Sequence, residues 1–529
     1  MCRMNRYSSV WVAVLGIAVG AMAAVAVQKF NENRAKIKTE YTDWGKLNLV
    51  LRTIDRNYVD TIDRKVVSDA AISAALSALD PHSIYMPPVI LEETESELAG
   101  NFDGIGIQFN VPNDTAIVLE VIPGGPSEKI GLQAGDRIIK VDDKVIAGVR
   151  FPQDSMVRRM KGPAGSKVLI TVRRGKETVP FEITRGKIPV NSVDAAFMVN
   201  DTTGYLRLSK FARTTYTEVV KRCKDLMADG MKYLIFDLRD NSGGFFDQSL
   251  LLSDMFLRKN SDIVYLEGLH RKRKGYTASG KGLLQDVKLA VLIDESSASS
   301  SEIFAGAIQD NDRGLIIGRR SFGKGLVQEP VYFSDGSGIR ITVARYYTPS
   351  GRCIQKPYAS DEEYQNDIWE RYVGGEMLDA DSIKVDTTQA YKTLAGRTVY
   401  GGGGIVPDVF VPMDTTHVSK FYQACSRKAT PMRFASAWFD AHKAEIQRIG
   451  DFKELERYLN GAGLEQAFLS FAASKDGLRP ASESEWQLER NYMMTSVRAL
   501  VGRYSLLGDD AFYHLYLGTD KVVAAALAN

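Results

Sequence analysis

The spacing of hydrophobic residues divides this chain into segments of different secondary structure. Between residues 41 and 99 the apolar positions recur at helical intervals, and a turn-forming sequence at 80–83 interrupts them. Residues 415–529 carry aromatic and apolar positions with few strand signals. Both segments are therefore predicted to be helical, and we find no internal repeat in the chain.

Residues 102–186 have a different pattern, because short β-forming runs alternate there with glycine and proline turns. The predicted strands are Gly106–Asn110, Ala116–Val121, Arg137–Val141, Val168–Arg173 and Val179–Thr184. This pattern predicts a small β-rich module of about 85 residues.

Residues 203–346 alternate apolar strand candidates with helical stretches near 214–228, 246–257 and 300–310. The strand candidates are Gly204–Leu208, Tyr233–Leu238, Leu289–Ile293, Leu315–Ile317 and Ile339–Ala344. Such alternation predicts a mainly parallel sheet covered by helices. Residues 355–400 are polar and are interpreted as an excursion from this domain.

The N-terminal segment has the sequence pattern of a signal peptide or a membrane anchor. Val10–Val27 is a run of 18 residues without a charge, and Arg3 and Arg6 precede it. It fits a retained membrane anchor best, a signal peptide cleaved near Ala24–Ala26 less well, and a buried soluble helix least. Either exported interpretation places the rest of the chain outside the cytoplasm.

The composition argues against nucleic-acid binding and against two common kinds of metal site. The 67 basic and 65 acidic residues nearly cancel, which argues against a strongly basic nucleic-acid-binding protein. None of the five histidines is followed by Glu, and the four cysteines form no C-x-x-C pair. The helical H-E-x-x-H metal site and the structural zinc site are therefore not expected, and hydrolysis would need other residues.

A serine cluster follows the predicted strand Leu289–Ile293 and opens the next helix. A serine at such a junction lies near the helix N-terminus, where free N–H groups can hold an oxyanion. Ser299 with Glu302 three positions later also fits a capping box. The spacing by itself favours the cap over a nucleophile.

Lys324 lies between two glycines with apolar neighbours. Burial among apolar groups would lower its pKa and make it a base for a serine, with Gln328 orienting it, whereas an exposed loop lysine is the simpler interpretation. Gly318–Lys324 also matches the phosphate-loop pattern G-x-x-x-x-G-K, but Gly325 stands where Mg²⁺ binding needs Ser or Thr. Gly243 and Gly244, after the strand at 233–238, would form either a turn or an oxyanion donor.

Together these motifs resemble the carboxyl-terminal processing peptidases, or tail-specific proteases, over about residues 45–412. The motifs that carry the resemblance, in chain order, are L-D-P-H-S at 79–83, G-I-G-I at 104–107, G-G-P at 124–126, G-L-Q-A-G-D at 131–136, R-D-N-S-G-G at 239–244, the serine cluster at 296–301, S-F-G-K-G-L-V-Q at 321–328 and G-G-I-V-P-D at 403–408. Each motif is weak alone, and their joint order is specific.

The resemblance implies a role for each matching residue. Ser299 would be the nucleophile, Lys324 the general base and Gln328 its support, with no metal or other cofactor. Ser300, in place of the usual alanine, and either Gly243 or Gly244 would donate to the oxyanion. Asp310 falls where some members carry a supporting acidic residue, and His82 is interpreted as structural.

The segment at 104–136 resembles a PDZ domain, which implies that Gly104, Ile105, Gly106 and Ile107 bind the C-terminal tail of a protein substrate. The expected fold is multidomain α/β: a crotonase-like α/β protease core with an inserted β-rich PDZ domain and helical N- and C-terminal regions. The expected boundaries are 1–30 for the signal peptide or anchor, 31–100 for the N-terminal helical segment, 101–187 for the PDZ domain, 188–414 for the core and 415–529 for the C-terminal helices.

The expected function is that of an exported, membrane-anchored serine endopeptidase with a Ser/Lys dyad, in the periplasm or another extracytoplasmic space. Its expected partners are proteins with exposed C-terminal tails and the membrane, not nucleic acid, and the C-terminal region is a candidate for homo-oligomer contacts. The alternative is a membrane-tethered, catalytically inactive PDZ adaptor. A third interpretation, a phosphate-loop nucleotidase, requires Mg²⁺-dependent ATP binding.

Overall fold

The structure is a computed structural model that describes residues 24–29, 43–98, 100–111, 114–122, 124–358, 361–416 and 418–529. It comprises two units, with the boundary between Leu79 and Asp80. In the first unit, two helices span Asp43–Asn57 and Arg64–Ser77. Most of the apolar segment Val10–Val27 lies outside the described residues. Within the described ranges, no helix is long and apolar enough to cross a membrane.

The second unit begins with the turn at 80–83, as the sequence predicts. The Asp80 carboxylate accepts the backbone N–H groups of His82 and Ser83, each over 2.9 Å. A short strand, Ile84–Met86, and a helix, Pro88–Leu98, follow the turn. This turn is therefore held by its own aspartate, which fixes the position of His82.

The β-rich module is a six-stranded antiparallel sheet with two helices. Its strands are Ile107–Asn110, Ala116–Val121, Arg137–Val141, Lys144–Val145, Lys167–Arg174 and Glu177–Thr184, and its helices are Pro126–Lys129 and Gln153–Met160. Asn101–Gly104 pairs with Gly186–Pro189 where the chain enters and leaves the module. The strand Ile107–Asn110 lies at the edge of the sheet, which leaves one of its sides open for pairing.

The central sheet of the core has six strands. In spatial order they are Val193–Met198, Thr203–Leu208, Tyr233–Asp237, Lys288–Ile293, Leu315–Gly318 and Val409–Phe410. The first strand is antiparallel to the second, and all other neighbours are parallel, so the prediction of a mainly parallel sheet is confirmed. Parallel strands end at the same edge, and the loops that carry the serine cluster and Gly243 follow neighbouring strands there.

Both faces of this sheet are covered, which explains why its strands are almost continuously apolar. The helices Thr215–Ala228, Phe246–Phe256 and Ser300–Asp310 contribute to the hydrophobic core on one face. The other face packs against the last helix, Lys521–Ala528, through Val522 and Val523.

One predicted strand belongs to a different sheet. Gly338–Tyr347, which contains the predicted Ile339–Ala344, pairs antiparallel with Leu326–Tyr332, Asp262–Gly268 and Ile84–Met86. The expectation that it joins the parallel sheet is wrong, because a short turn at 333–337 folds it back on Leu326–Tyr332 as a hairpin, which imposes antiparallel pairing. Arg271–Thr277 completes this second sheet.

The polar excursion at 355–400 contains ordered elements. Its helix spans Asp361–Val373, its short strands are Ala390–Lys392 and Thr398–Tyr400, and two 3₁₀ turns span Ala380–Ser382 and Thr387–Gln389. Arg371 on the helix donates to the carbonyl oxygens of Ser321 and Arg320 over 3.1 and 2.6 Å. The excursion therefore supports the loop that leads to Lys324.

The C-terminal region is helical, as its pattern predicts. Its helices are Lys420–Arg427, Thr430–Ile446, Phe452–Gly461, Leu464–Phe471, Glu483–Gly502, Gly508–Tyr516 and Lys521–Ala528. Lys443 donates to the Ala134 carbonyl oxygen of the β-rich module over 2.8 Å, and Asp520 pairs with Arg239 of the core over 2.7 Å. The C-terminal region therefore contacts both the β-rich module and the core.

Candidate active site

Ser299 occupies a strained backbone position immediately before the helix Ser300–Asp310. Its φ of 55° and ψ of −111° lie in a region that residues with a side chain rarely adopt. Strain of this kind persists only where the surrounding structure holds it, and it concentrates at functional sites. The sequence offered no sign of this conformation.

Glu302, the partner of Ser299 in the predicted capping box, is fully buried and accepts hydrogen bonds from two segments of the chain. One carboxylate oxygen, Oε2, accepts the backbone N–H of Ser299 and that of Lys324, each over 2.9 Å. The other, Oε1, accepts the Ser321 hydroxyl over 2.5 Å and the Gly323 N–H over 2.7 Å. Burial raises the pKa of Glu302, while these four donors oppose that rise. The contact with Ser299 is the cap that the spacing predicts.

The same contacts bring the two candidate reactive residues together. The backbone nitrogens of Ser299 and Lys324 both lie 2.9 Å from one oxygen atom, although 24 residues separate them in the chain. The Tyr346 hydroxyl lies 2.8 Å from the Lys324 carbonyl oxygen and 3.2 Å from that of Ser299. These shared contacts hold the main chains of Ser299 and Lys324 side by side.

The Lys324 side chain is half-buried and is held by Gln328. Its Nζ donates to Gln328 Oε1 over 3.1 Å, and Gln328 Nε2 donates to the carbonyl oxygen of His82. Burial, followed by the nearby charge of Arg340, lowers the pKa of Lys324 to about 8. An amine with this pKa is partly neutral near pH 7 and can accept a proton from a hydroxyl.

His82 holds Gln328 in place through its backbone. Burial, followed by the charge of Lys324, lowers the pKa of its imidazole to about 4, so the ring is neutral at pH 7. One ring nitrogen contacts the Tyr364 hydroxyl. His82 therefore supports the lysine–glutamine pair through its carbonyl group and adds no positive charge.

The glycine pair and Ser300 line the serine from the other side. A Cβ added at Gly243 would lie 2.9 Å from Ser299 Cβ, so this position has no room for a side chain. The Gly243 N–H donates to Asn241 Oδ1 over 2.9 Å, whereas within the described ranges the Gly244 N–H has no acceptor. Ser300 is the first residue of its helix, so its N–H has no intrahelical acceptor.

The structure does not bring Asp310 to this site. It is the last residue of the helix Ser300–Asp310, about 15 Å from the serine end at 1.5 Å per residue. Its carboxylate forms a fully buried ion pair with Arg352 over 2.8 Å. Any support that Asp310 gives to the site is therefore indirect, because its carboxylate lies at the far end of the helix from Ser299 and pairs with Arg352.

The nucleotide-binding alternative also fails on local structure. A phosphate loop leads into a helix, whereas the loop with Lys324 leads into the strand Leu326–Tyr332. In the described part of the chain, no group of three or more His, Cys, Asp or Glu side chains could hold a metal ion.

The segment Gly104–Ile107, which the resemblance assigns to tail binding, leads into the edge strand of the β-rich module. Ile105 is 2% exposed and packs in the core of the module, while its carbonyl oxygen accepts the Ser127 N–H and hydroxyl. Its side chain therefore cannot line a pocket for a ligand. Gly104 ends a strand, Gly106 has a φ of 79°, and Ile107 begins the open edge strand.

Sequence reasoning assigned no role at the site to Tyr346, Arg340 or the His82 carbonyl group, and it assigned Glu302 only a local cap. Glu302 was detectable as a residue in the serine motif. The others carry no local signal, because they reach the site through pairing of the strand Gly338–Tyr347 and through the turn at 80–83.

The sequence is similar to those of known proteases. The profile of peptidase family S41 matches residues 202–364, and that of a PDZ domain matches residues 104–184. A carboxy-terminal-processing protease of Bartonella bacilliformis is 35% identical over 349 residues, which are 65% of this chain and 79% of that protein. A probable CtpA-like serine protease of Staphylococcus haemolyticus is 30% identical over 343 residues, 64% of this chain and 68% of that protein.

Among solved structures, the photosystem II D1 C-terminal processing protease aligns with a TM-score of 0.38 and 27% identity, covering 70% of this chain and 87% of that one. The match to family S41 includes the loops of Ser299 and Lys324, and the match to the PDZ domain covers the β-rich module. The chain therefore belongs to peptidase family S41 and is a carboxy-terminal-processing serine protease with a PDZ domain.

Proposed function

We propose that this protease cleaves peptide bonds with Ser299 as nucleophile and Lys324 as general base, supported by Gln328. The observation that carries the proposal is the shared contact of the Ser299 and Lys324 N–H groups with one Glu302 oxygen. It holds the main chain of Ser299, at a helix N-terminus, beside that of Lys324, whose side-chain pKa is lowered.

The chemistry follows from these groups. Neutral Lys324 takes the hydroxyl proton of Ser299 as Oγ forms a bond to the peptide carbonyl carbon. The resulting ammonium then gives a proton to the departing amine, and the C–N bond breaks to leave an ester on Ser299. Water repeats the sequence, with Lys324 again as base, and releases the acid.

The oxyanion of each tetrahedral intermediate needs N–H donors that are not already engaged. Ser300 and Gly244 fit this need best, since the Gly243 N–H already donates to Asn241. Ser300 Oγ donates to the Gly244 carbonyl oxygen over 3.0 Å, which holds the two residues side by side. Gly243 contributes by leaving space beside Ser299.

Substrate selection is proposed to rest on the PDZ domain. The open edge strand Ile107–Asn110 can take an extended peptide as a further strand, and N–H groups of the Gly104–Ile107 segment can receive its terminal carboxylate. A peptide with an amidated C-terminus should then bind at least about tenfold more weakly than the free acid, since it lacks the charge. Equal binding of both peptides in calorimetry would contradict tail recognition.

We also propose that the protein works outside the cytoplasm and is held at the membrane by its N-terminal segment. The support is the uncharged run Val10–Val27 with the basic residues before it. Fractionation of cells that produce the full chain, with protease added to intact spheroplasts, tests this. A chain that remains protected and soluble would contradict it.

The activity test uses the full chain and an unfolded protein that ends in an apolar residue, with a metal chelator present throughout. Fragments are identified by mass spectrometry for the wild type, for Ser299→Ala and for Ser296→Ala, which changes a neighbouring serine of the same cluster. Cleavage by the wild type and Ser296→Ala but not by Ser299→Ala is the expected result. Cleavage by all three would refute the proposed nucleophile.

The same experiment also tests the alternative of an inactive PDZ adaptor. It is favoured if neither the wild type nor any variant cleaves while a peptide tail still binds. The lowered pKa of Lys324 and the strained backbone of Ser299 argue against it, because perturbed groups of this kind concentrate at catalytic sites.

A further inference from the structure

The carboxylate of Glu302 joins two loops that belong to different sheets. Ser299 ends the loop after a strand of the parallel sheet, whereas Lys324 precedes the first strand of an antiparallel hairpin. Four donors converge on Glu302, two on each oxygen, and three of them come from residues 321–324. A carboxylate has about four acceptor sites, so this group is saturated.

A second group joins the same two loops from the carbonyl side. The buried Tyr346 hydroxyl contacts the Ser299 and Lys324 carbonyl oxygens. Glu302 therefore binds the N–H groups of both Ser299 and Lys324, and Tyr346 binds the carbonyl groups of both. Ordinary capping of a helix would need only the contact between Glu302 and Ser299.

We propose that Glu302 is a positioning residue for catalysis, and that its carboxylate, assisted by the Tyr346 hydroxyl, clamps the Ser299 and Lys324 loops in register. This inference rests on the proposed roles of those two residues. Glu302 touches no reacting atom and acts only through the backbone of the residues that do.

The chemistry of the site explains why the residue is a glutamate. All four partners are donors, so the ionised carboxylate is the form that they stabilise. A glutamine has one acceptor oxygen, and its NH₂ group would face two N–H or O–H donors. An aspartate is shorter by one CH₂ group and cannot reach both loops from the same backbone position.

The clamp also holds the strained serine. At a φ of 55°, Ser299 would relax toward an ordinary helical cap if its N–H were released. Relaxation would move its hydroxyl relative to Lys324, and a shift of about 1 Å in a reacting pair can cost roughly 100-fold in rate. The serine must therefore be held by its backbone and not only by packing.

Glu302 also contributes to the charge that Lys324 experiences. Arg340, from the strand Gly338–Tyr347, lowers the pKa of Lys324, whereas Glu302 and Asp80 raise it. His82 is neutral. Replacing Glu302 by a neutral isostere removes a raising charge, so Lys324 should lose its proton at a lower pH.

The experiment compares Glu302→Gln with Glu489→Gln in the full chain. Glu489 is also 0% exposed but lies in the C-terminal helical core, so the pair matches residue type, substitution and burial. For Glu302→Gln we expect kcat to fall roughly 100-fold with KM within about threefold. The acid limb of its kcat/KM profile should move to lower pH. Tyr346→Phe should lose roughly tenfold in kcat, with the limb unmoved.

Glu489→Gln should retain the wild-type kcat and acid limb, and thermal unfolding shows whether each variant is folded. A folded Glu302→Gln with kcat within threefold of wild type would overturn the clamp. The clamp would also be overturned if the acid limb of Glu302→Gln stayed in place and its loss of kcat were no larger than that of Glu489→Gln. If Ser299→Ala also remains active, the proposed function itself has failed, whereas an inactive Ser299→Ala beside an active Glu302→Gln removes only the clamp.

Discussion

The pH dependence of cleavage should be governed by Lys324. Its amine acts as a base only when neutral, so activity should rise as pH increases through its pKa of about 8. The causes are burial first and the positive charge of Arg340 second. Arg340→Met removes that charge while keeping much of the side-chain volume, so the pKa of Lys324 should rise and the acid limb should move to higher pH.

The magnitude follows from the difference between the ordinary lysine pKa of 10.5 and the value of about 8. At pH 7 about 9% of an amine with pKa 8 is neutral, against about 0.03% of an unperturbed one, a gain of roughly 300-fold in active base. Because burial is the larger cause, Arg340→Met should shift the limb by about half a unit to one unit, not by the whole difference.

The assay is kcat/KM from pH 6 to 10 with a peptide that has no group titrating in that range, since this ratio reports the free enzyme. Thermal unfolding at each pH shows that the protein stays folded. A wild-type limb below pH 7 or above pH 9.5, or an Arg340→Met limb at lower pH than wild type, would refute the assignment of Lys324 as a buried base. His82 cannot produce the limb, because its pKa is about 4.

Three further changes test the surroundings of the site. Gln328→Ala removes the acceptor 3.1 Å from the lysine amine and should lower kcat roughly tenfold with little change in melting temperature, as measured by steady-state kinetics and calorimetry. Gly243→Ala places a Cβ 2.9 Å from that of Ser299 at a φ of 98°, so it should abolish cleavage while the isolated tail peptide still binds. Arg352→Met leaves Asp310 buried without its ion-pair partner and should lower the free energy of unfolding by about 3–5 kcal/mol in urea titration; a loss below 1 kcal/mol would contradict the inferred burial.

Many helices, turns and strands of this protein can be predicted from local sequence. The helix Ser300–Asp310 and the turn at 80–83 follow from their capping and turn residues, and the strands of the parallel sheet follow from apolar runs of the right length. Such elements depend on residues that are neighbours in the chain, so a local pattern can predict them. The expected pairing of Ser299 with Lys324 came instead from the resemblance, which rests on the order of the motifs.

Other features required the tertiary structure. Ile339–Ala344 is as apolar as a parallel-sheet strand, and only the pairing of its hairpin shows that it belongs to the second sheet. Asp310 fits a family position, yet helix geometry carries it to the far end, where it meets Arg352. The engaged N–H of Gly243 distinguishes it from Gly244 only once the Asn241 side chain is in place.

By itself the sequence determined the helices, the turns and the modular order, because each is encoded in contiguous residues, and the resemblance to the tail-specific proteases supplied the expectation that Ser299 and Lys324 are the reactive pair. Only the tertiary structure decided how the two are held and activated. Glu302 and Tyr346 are 44 residues apart, and both meet Ser299 and Lys324 because two sheets pack against one helix. The lowered pKa of Lys324 has the same origin, since burial belongs to the folded molecule and not to any segment of it.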